Sequence, residues 1–216
     1  MPRRTAKRLR ILITAGPTRE YLDSVRFISN PSSGKMGYAL ATAARAAGHE
    51  VTLVSGPVAI AAPAGIRTVH VETTGEMAAA AKKAFAKSDV AVFTAAVCDY
   101  RPQKRSRLKM PKRQVGMSLT LVPTIDIAAT LGRRKGRRIT VAFALEDHAA
   151  RRHAEEKLRR KACDAIVLNR PSSIGADHAR MEFLVRGEKW QAWPVADKRV
   201  IARRLIQEVE KMAGER

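Results

Sequence analysis

Arg26-Phe27-Ile28-Ser29-Asn30-Pro31-Ser32-Ser33-Gly34-Lys35-Met36-Gly37 lies between a strand-like run, Ile11 to Ala15, and a long alanine-rich helical pattern. Small polar residues and glycine at that helix entrance leave several backbone N–H groups unpaired. Those donors, the positive end of the helix dipole and the Lys35 ammonium suit an anionic group, most often a phosphate. A strand, a turn and a helix with such a start form one unit of a parallel α/β sheet.

Outward from that stretch, strand-like and helix-like segments alternate. This predicts an α/β fold, a Rossmann-like, mostly parallel sheet with helices on both faces. The first strand is read at 10–15 and the first helix at 35–47, stopped at Gly48. Strands follow at 50–55, 68–72 and 90–94, with a helix capped by Thr74 running to 86. Further on come strand 117–122, helix 124–131, strand 138–144, helix 149–161 and strand 165–168. The runs 181–185 and 190–193 flank Arg186-Gly187-Glu188-Lys189 and predict a C-terminal hairpin, and Asp197 caps a last helix. Residues 100–116 interrupt the pattern with Pro102, Pro111 and seven Lys/Arg without an acid from Arg101 to Arg113. They predict a long mobile loop of the kind that serves as a lid. The expected organisation is a basic N-terminal tail, 1–10, and a single domain, 11–216.

Hydrophobic residues make up 45% of the 216, ordinary for a globular chain, and no apolar run reaches the roughly 18 residues of a membrane span. Residues 1–8 are basic, but the apolar run after them is short and reads as a strand, so no signal peptide is expected. Two cysteines, Cys98 and Cys163, make neither a disulfide framework nor a metal cluster, which points to a reducing cytoplasm. A net charge of +21 favours anionic, phosphorylated partners. Nucleic acid as the main partner is argued against, because the basic residues fall in separate clusters and aromatics are only 5%.

The first turn, Thr14-Ala15-Gly16-Pro17-Thr18-Arg19-Glu20, lacks G-x-G-x-x-G, and the second strand ends at Ser55-Gly56 without the acid that would hold a ribose. A Walker loop fails too, with Ser29 for its first glycine and Met36 where Ser/Thr should hold magnesium. Cys98 has no histidine in an obvious base position and reads as a small packed thiol.

The string 26–37, together with Gly16-x-Thr18-Arg19-Glu20, resembles the signature of the phosphopantothenoylcysteine synthetase family, ligases that join 4′-phosphopantothenate to cysteine. Pro31 stands where that family has arginine or lysine. The resemblance covers the chain from Ile11 to about Val209. It implies that Gly16, Thr18, Ser32, Ser33, Gly34, Lys35 and Ala96 shape the phosphopantothenate site. Asn30 would handle the acyl intermediate, an amide being able to donate to a carbonyl oxygen gathering charge, and Arg26 would help on the substrate side. Without the surrounding string, Asn30 would read as a turn or cap residue.

On the nucleotide side, Ala95-Ala96-Val97-Cys98-Asp99-Tyr100 resembles the family's Ala-Ala-Val-Ala-Asp-Tyr. It supplies Ala95 and Asp99, the latter also the candidate magnesium contact. Lys109, in Leu108-Lys109-Met110-Pro111-Lys112, corresponds to an essential lysine able to neutralise an α-phosphate. Pro111 disturbs that motif, so Lys112 is the fallback. Thr124-Ile125-Asp126-Ile127 resembles Thr-Pro-Asp-Ile and brings Ile125, Asp126 and Ile127 to the base pocket. Phe143 matches a family phenylalanine, and Lys157 and Lys161 match two lysines on the triphosphate. Four residues apart on one helix face, those two lysines repel unless an anion bridges them. A solvated basic face is the plain alternative.

The implied reaction activates the phosphopantothenate carboxylate as an acyl-nucleotide, which the cysteine amine then opens. The resemblance implies CTP as co-substrate, with ATP the alternative, and Mg2+ held mainly by the triphosphate. It implies no flavin on this chain, a homodimer, and a stand-alone synthetase served by a separate flavin-dependent phosphopantothenoylcysteine decarboxylase. Two other readings stay open: a Rossmann-type NAD(P)-dependent oxidoreductase, and a ligase-dead phosphopantothenate-binding relative, since Arg170, Ile125 and Pro111 depart from the family pattern.

Overall fold

The computed structural model describes residues 8–112 and 114–216. Residues 1–7, most of the expected basic tail, and Arg113 lie outside the described residues. Arg10, counted with that tail, already opens β1 (Arg10–Ala15), and its guanidinium lies 2.8 Å from Asp89 Oδ1.

After β1 come a short antiparallel pair, β2 (Arg19–Tyr21) and β3 (Phe27–Ser29), then α1 (Lys35–Ala46), β4 (Glu50–Ser55), β5 (Arg67–His70), α2 (Thr74–Phe85) and β6 (Val90–Phe93). A second short pair, β7 (Tyr100–Pro102) and β8 (Leu121–Pro123), leads to α3 (Ile127–Gly132) and β9 (Ile139–Leu145). The chain ends with α4 (Ala150–Arg160), β10 (Ala165–Asn169), β11 (His178–Val185), β12 (Gln191–Asp197) and α5 (Lys198–Gly214).

The main sheet runs β12-β11-β10-β9-β6-β1-β4-β5. From β10 to β5 every pairing is parallel, while β11 and β12 extend the β10 edge as an antiparallel hairpin. Numbered in chain order, the parallel strands lie 3-2-1-4-5-6, the order of doubly wound folds. Side chains alternate between two cores, as the period-two geometry of a strand requires. Ile11, Ile13, Val90, Val92, Val141 and Val167 face α1 and α5, meeting Leu40, Ala44, Leu205 and Val209. Leu12, Ala91, Phe93, Ala142, Ile166 and Leu168 face α2, α3 and α4, meeting Met77, Phe85, Leu131 and Leu158. Helices on both faces and a C-terminal hairpin match the fold expected from the sequence.

The differences are local. The β2–β3 pair went unread, because two three-residue strands carry no alternation to detect. Thr73, not Thr74, caps α2: its hydroxyl accepts from Glu76 N, while the Glu76 carboxylate takes the Thr73 N–H at 3.2 Å. The α3 helix starts three residues later than expected, where Asp126 accepts from Ala129 N at 2.9 Å. No helix of the described residues is long and apolar enough to cross a membrane.

The α1 helix lies very close to β1. A Cβ at Gly37 would sit 2.4 Å from Ala15 Cβ and 2.6 Å from Thr94 Oγ1, so only glycine admits that approach. Gly37→Ala should therefore cost about 1–3 kcal/mol of stability through overpacking, read as a lower urea midpoint at unchanged slope. Gly75→Ala, whose Cβ would meet only Thr73 Oγ1 at 3.9 Å, should cost nothing.

Candidate active site

β1 and β6 are neighbours, yet the chain leaves β1 towards α1 on one face and β6 towards α3 on the other. Such a switch point opens a crevice at the carboxyl ends of the strands. Backbone pairing continues past both strand ends, with Ala96 N donating to Gly16 O at 2.9 Å and Thr18 N to Ala96 O at 3.4 Å. This brings Gly16, Thr18, Ala95 and Ala96 together. Thr18 is fully buried beneath the crevice. Its hydroxyl lies 3.0 Å from Thr74 Oγ1 and accepts from Cys98 N at 2.9 Å, so its side chain serves the scaffold. Burial pushes the Cys98 thiol above its ordinary pKa, against a nucleophilic role.

Asn30 follows β3 and crosses to the β6 side, where Nδ2 donates to Ala96 O and Val97 O, each at 3.1 Å. Both partners are carbonyl oxygens, which fixes the NH2 end of the amide. The donors expected for an acyl oxygen are thus committed here, and Oδ1 is the end left over. Four residues on, Gly34 takes φ 75° at the N-cap of α1, a left-handed conformation that favours glycine. No side chain caps this helix, so its first-turn N–H groups remain for a ligand. Ser32 and Ser33, both half-buried, lead into it. Lys35 does not stand free at the helix start: Nζ donates to Gly175 O at 3.0 Å and Asp177 Oδ1 at 2.7 Å. That hydrogen bond holds the Asp177 carboxyl below its usual range.

Residues 100–116 are not wholly irregular, since they open with β7. The following residues lie against the β2–β3 pair: Ser106 N donates to Leu22 O at 2.9 Å, and the Arg105 guanidinium sits 4.6 Å from the centre of the Tyr21 ring. Arg26 Nη2 reaches Asp23 Oδ2 at 2.5 Å and Met110 O at 2.6 Å. Lys109 and Lys112 are exposed. Asp23 was missed from sequence, although an aspartate accepting from the N–H groups two and three residues on is a recognisable turn device.

On the other wall Asp99 is exposed and its carbonyl accepts from Thr124 N at 2.9 Å. Ile125 is exposed, whereas the Ile127 side chain is in the core. Phe143 is half-buried against the α1/α5 face of the sheet, while Lys157 and Lys161 belong to the α4 side. The structure therefore does not bring these side chains onto one face of β9. Nor do the two lysines need an outside anion. Lys157 lies 2.5 Å from Glu146 Oε1, and Lys161 donates to both Asp126 oxygens at 2.8 and 2.7 Å. Burial raises the Asp126 pKa, but Lys161 and the Ala129 N–H outweigh it and leave a net fall.

The strand order and the crevice define a doubly wound α/β domain built to take its ligands at the switch point. The chain belongs to the family of the DNA/pantothenate metabolism flavoprotein C-terminal domain, matched over residues 6–212. It is 38% identical over 214 residues to the coenzyme A biosynthesis bifunctional protein CoaBC of Bacillus subtilis strain 168, covering 95% of this chain and 53% of that protein. The chain spans about half the length of the curated relatives it matches. The crystal structure of the C-terminal domain of a CoaBC protein superposes with a TM-score of 0.86 at 36% identity, over 99% of this chain and 100% of that one. A Cab2 variant in complex with phosphopantothenate-cysteine shares the fold, with a TM-score of 0.70 at 18% identity over 95% of this chain and 88% of that one. The resemblance to the phosphopantothenoylcysteine synthetase family is borne out.

Because the folded pKa of Asp126 is depressed, its contribution to stability is present above about pH 4, the ordinary aspartate value, and is lost as pH falls towards the folded pKa. Asp126→Asn keeps a good cap and removes the ion pair. Urea midpoints across pH should show a constant deficit for the variant from pH 6 to 8 that shrinks below about pH 4. A deficit that grows on acidification would reverse the sign of this account.

Proposed function

We infer that this chain is a phosphopantothenate–cysteine ligase of coenzyme A biosynthesis, using CTP and releasing CMP and pyrophosphate. One observation carries the reading: Asn30, held on the 96–97 backbone, and the uncapped N-terminus of α1, with Gly34 packed beside Gly16, come together at the β1/β6 switch point. The name of the Bacillus subtilis relative and the product bound by the Cab2 variant support the same reading.

In this proposal the first-turn N–H groups of α1 receive the substrate phosphate, with Ser32 and Ser33 beside them. A carboxylate oxygen of phosphopantothenate attacks the α-phosphorus of the nucleotide. The bond to the bridging oxygen breaks, and pyrophosphate leaves with its electron pair. Lys109 neutralises the charge gathering on the α-phosphate. The cysteine amine then attacks the acyl carbon, the nucleoside monophosphate leaves, and the amine proton passes to water. Asn30, its NH2 group committed to the backbone, offers Oδ1 to an N–H of the incoming amine. Lys157 and Lys161 exchange their carboxylate partners for triphosphate oxygens. Asp99, an exposed carboxylate just before β7, fits a Mg2+ that takes its other ligands from phosphate and water. Bound there, Mg2+ would screen the triphosphate charge. A cytoplasmic homodimer completes the proposal, and the mass in solution tests the dimer.

Pyrophosphate release should require phosphopantothenate and run faster with CTP than with ATP. Lys109→Ala should slow it about 10²- to 10³-fold, the usual loss of one charge-stabilising donor. Lys112→Ala should change it little. The opposite order would move the role to Lys112, and silence with both nucleotides from folded protein would contradict the ligase reading.

A further inference from the structure

Asp23 sits at the tip of the β2–β3 hairpin with its side chain 0% exposed, an expensive place for a charge unless every lone pair is used. They are used. Oδ1 accepts from Val25 N and Arg26 N, both at 2.8 Å, which closes the turn. Oδ2 accepts from Arg26 Nε at 2.9 Å, Arg26 Nη2 at 2.5 Å and Met110 N at 3.1 Å. A carboxylate offers about four lone-pair sites, so this one is saturated. The backbone N–H of Arg26 does most to hold it ionised, its own burial opposing this, and its pKa lies far below the ordinary carboxylate range.

The same two side chains hold Met110 from both sides. Its N–H goes to Asp23 and its C=O accepts from Arg26 Nη2 at 2.6 Å. Two bonds on one residue fix the direction of the segment as well as its position. The preceding residue is Lys109, exposed at its side chain. The other ties of this segment are Arg105 over Tyr21, Ser106 N to Leu22 O, and the Ser106 hydroxyl, which donates to Leu108 O at 2.6 Å; of these only Arg105 and Ser106 reach the hairpin, on the far side of Leu108 from the lysine. A lysine on an untethered loop would forfeit much of the advantage that fixed geometry gives a reacting group.

We propose that Asp23 is the positioning residue of the Lys109 segment, gripping Met110 together with Arg26 and thereby tying the nucleotide-side lysine to the hairpin that carries Asn30. Arg26 then acts through the loop. The anchorage stands on the hydrogen bonds alone. The part played by Lys109 rests on the ligase reading.

Asp23→Asn is the informative variant. Its Oδ1 can keep the turn, while its NH2 group opposes the Met110 N–H and the guanidinium, donor against donor. Hydrogen exchange on the full unliganded chain should quicken about 10-fold or more in the peptide covering 108–112, with β1 and α5 unchanged, as local opening requires. The rate of pyrophosphate release at saturation should fall by about 10²-fold, with the KM for phosphopantothenate little altered, since misplacement by about an ångström costs that much. In a Lys109→Ala background the same change should have no further effect. Should Asp23→Asn fail to fold, Arg26→Gln removes the grip on Met110 O and spares the Asp23 turn bonds, with the same outcomes expected. Unchanged exchange at 108–112, or an equal loss with and without Lys109, would overturn the proposal. A wild-type chain with no turnover would overturn the ligase reading and the catalytic half of this one, while the exchange result would still decide the anchorage.

Discussion

β1 and β6 stay paired beyond their last residues, through Gly16 O and Ala96 N, and only then does the chain part to opposite faces of the sheet. Everything proposed for the site depends on that constraint. It places the start of α1, the two alanines after β6 and the hairpin carrying Asn30 around one crevice, each supported by hydrogen-bonded backbone. The close approach of Gly37 to Ala15 and Thr94 then fixes how far α1 can slide along β1, and so where its uncapped N–H groups lie. Packing in the core and geometry in the crevice are set by the same contacts.

The charge of this chain invites a simpler account, an unspecific basic surface, but the site cations are mostly taken. Lys35 holds Asp177, Lys157 holds Glu146, Lys161 holds Asp126 and Arg26 holds Asp23. These pairs differ in kind. Asp177 is largely exposed, and its ion pair is weak enough for an anionic ligand to replace. Asp23 is wholly buried and saturated with donors, so losing all of them would strand its charge, whereas Arg26 is partly exposed. The first kind gives a site that can open to phosphate. The second gives a frame that does not rearrange when phosphate arrives.

Much of the fold was legible because buried parallel strands such as Val90–Phe93 and Ala165–Asn169 are apolar runs, and alanine-rich helices with clear stops separate them. The hairpin that leads to Asn30 was not, since Arg-Glu-Tyr and Phe-Ile-Ser are too short to show a period. Residues such as Asn30 and Lys109 were found from a contiguous string or a local motif. What they do with their polar atoms was not, because it depends on groups far along the chain. Asn30 bonds carbonyls 66 and 67 residues away, and Asp23 reaches an N–H 87 residues away. Lys157 and Lys161 show the same limit: charge repulsion was readable from their spacing, the carboxylates that relieve it were not. Phe143 was placed by its motif, yet which face of β9 it occupies follows from the register of the sheet.

The central claim is that this crevice activates a carboxylate by transferring a nucleotidyl group onto it. The most direct measurement uses phosphopantothenate labelled with oxygen-18 in its carboxylate, turned over with CTP and cysteine, and reads the label in the products by mass spectrometry. Nucleotidyl transfer predicts that the released CMP carries one labelled oxygen and that pyrophosphate carries none. Label in inorganic phosphate, or CMP without label, would contradict the claim.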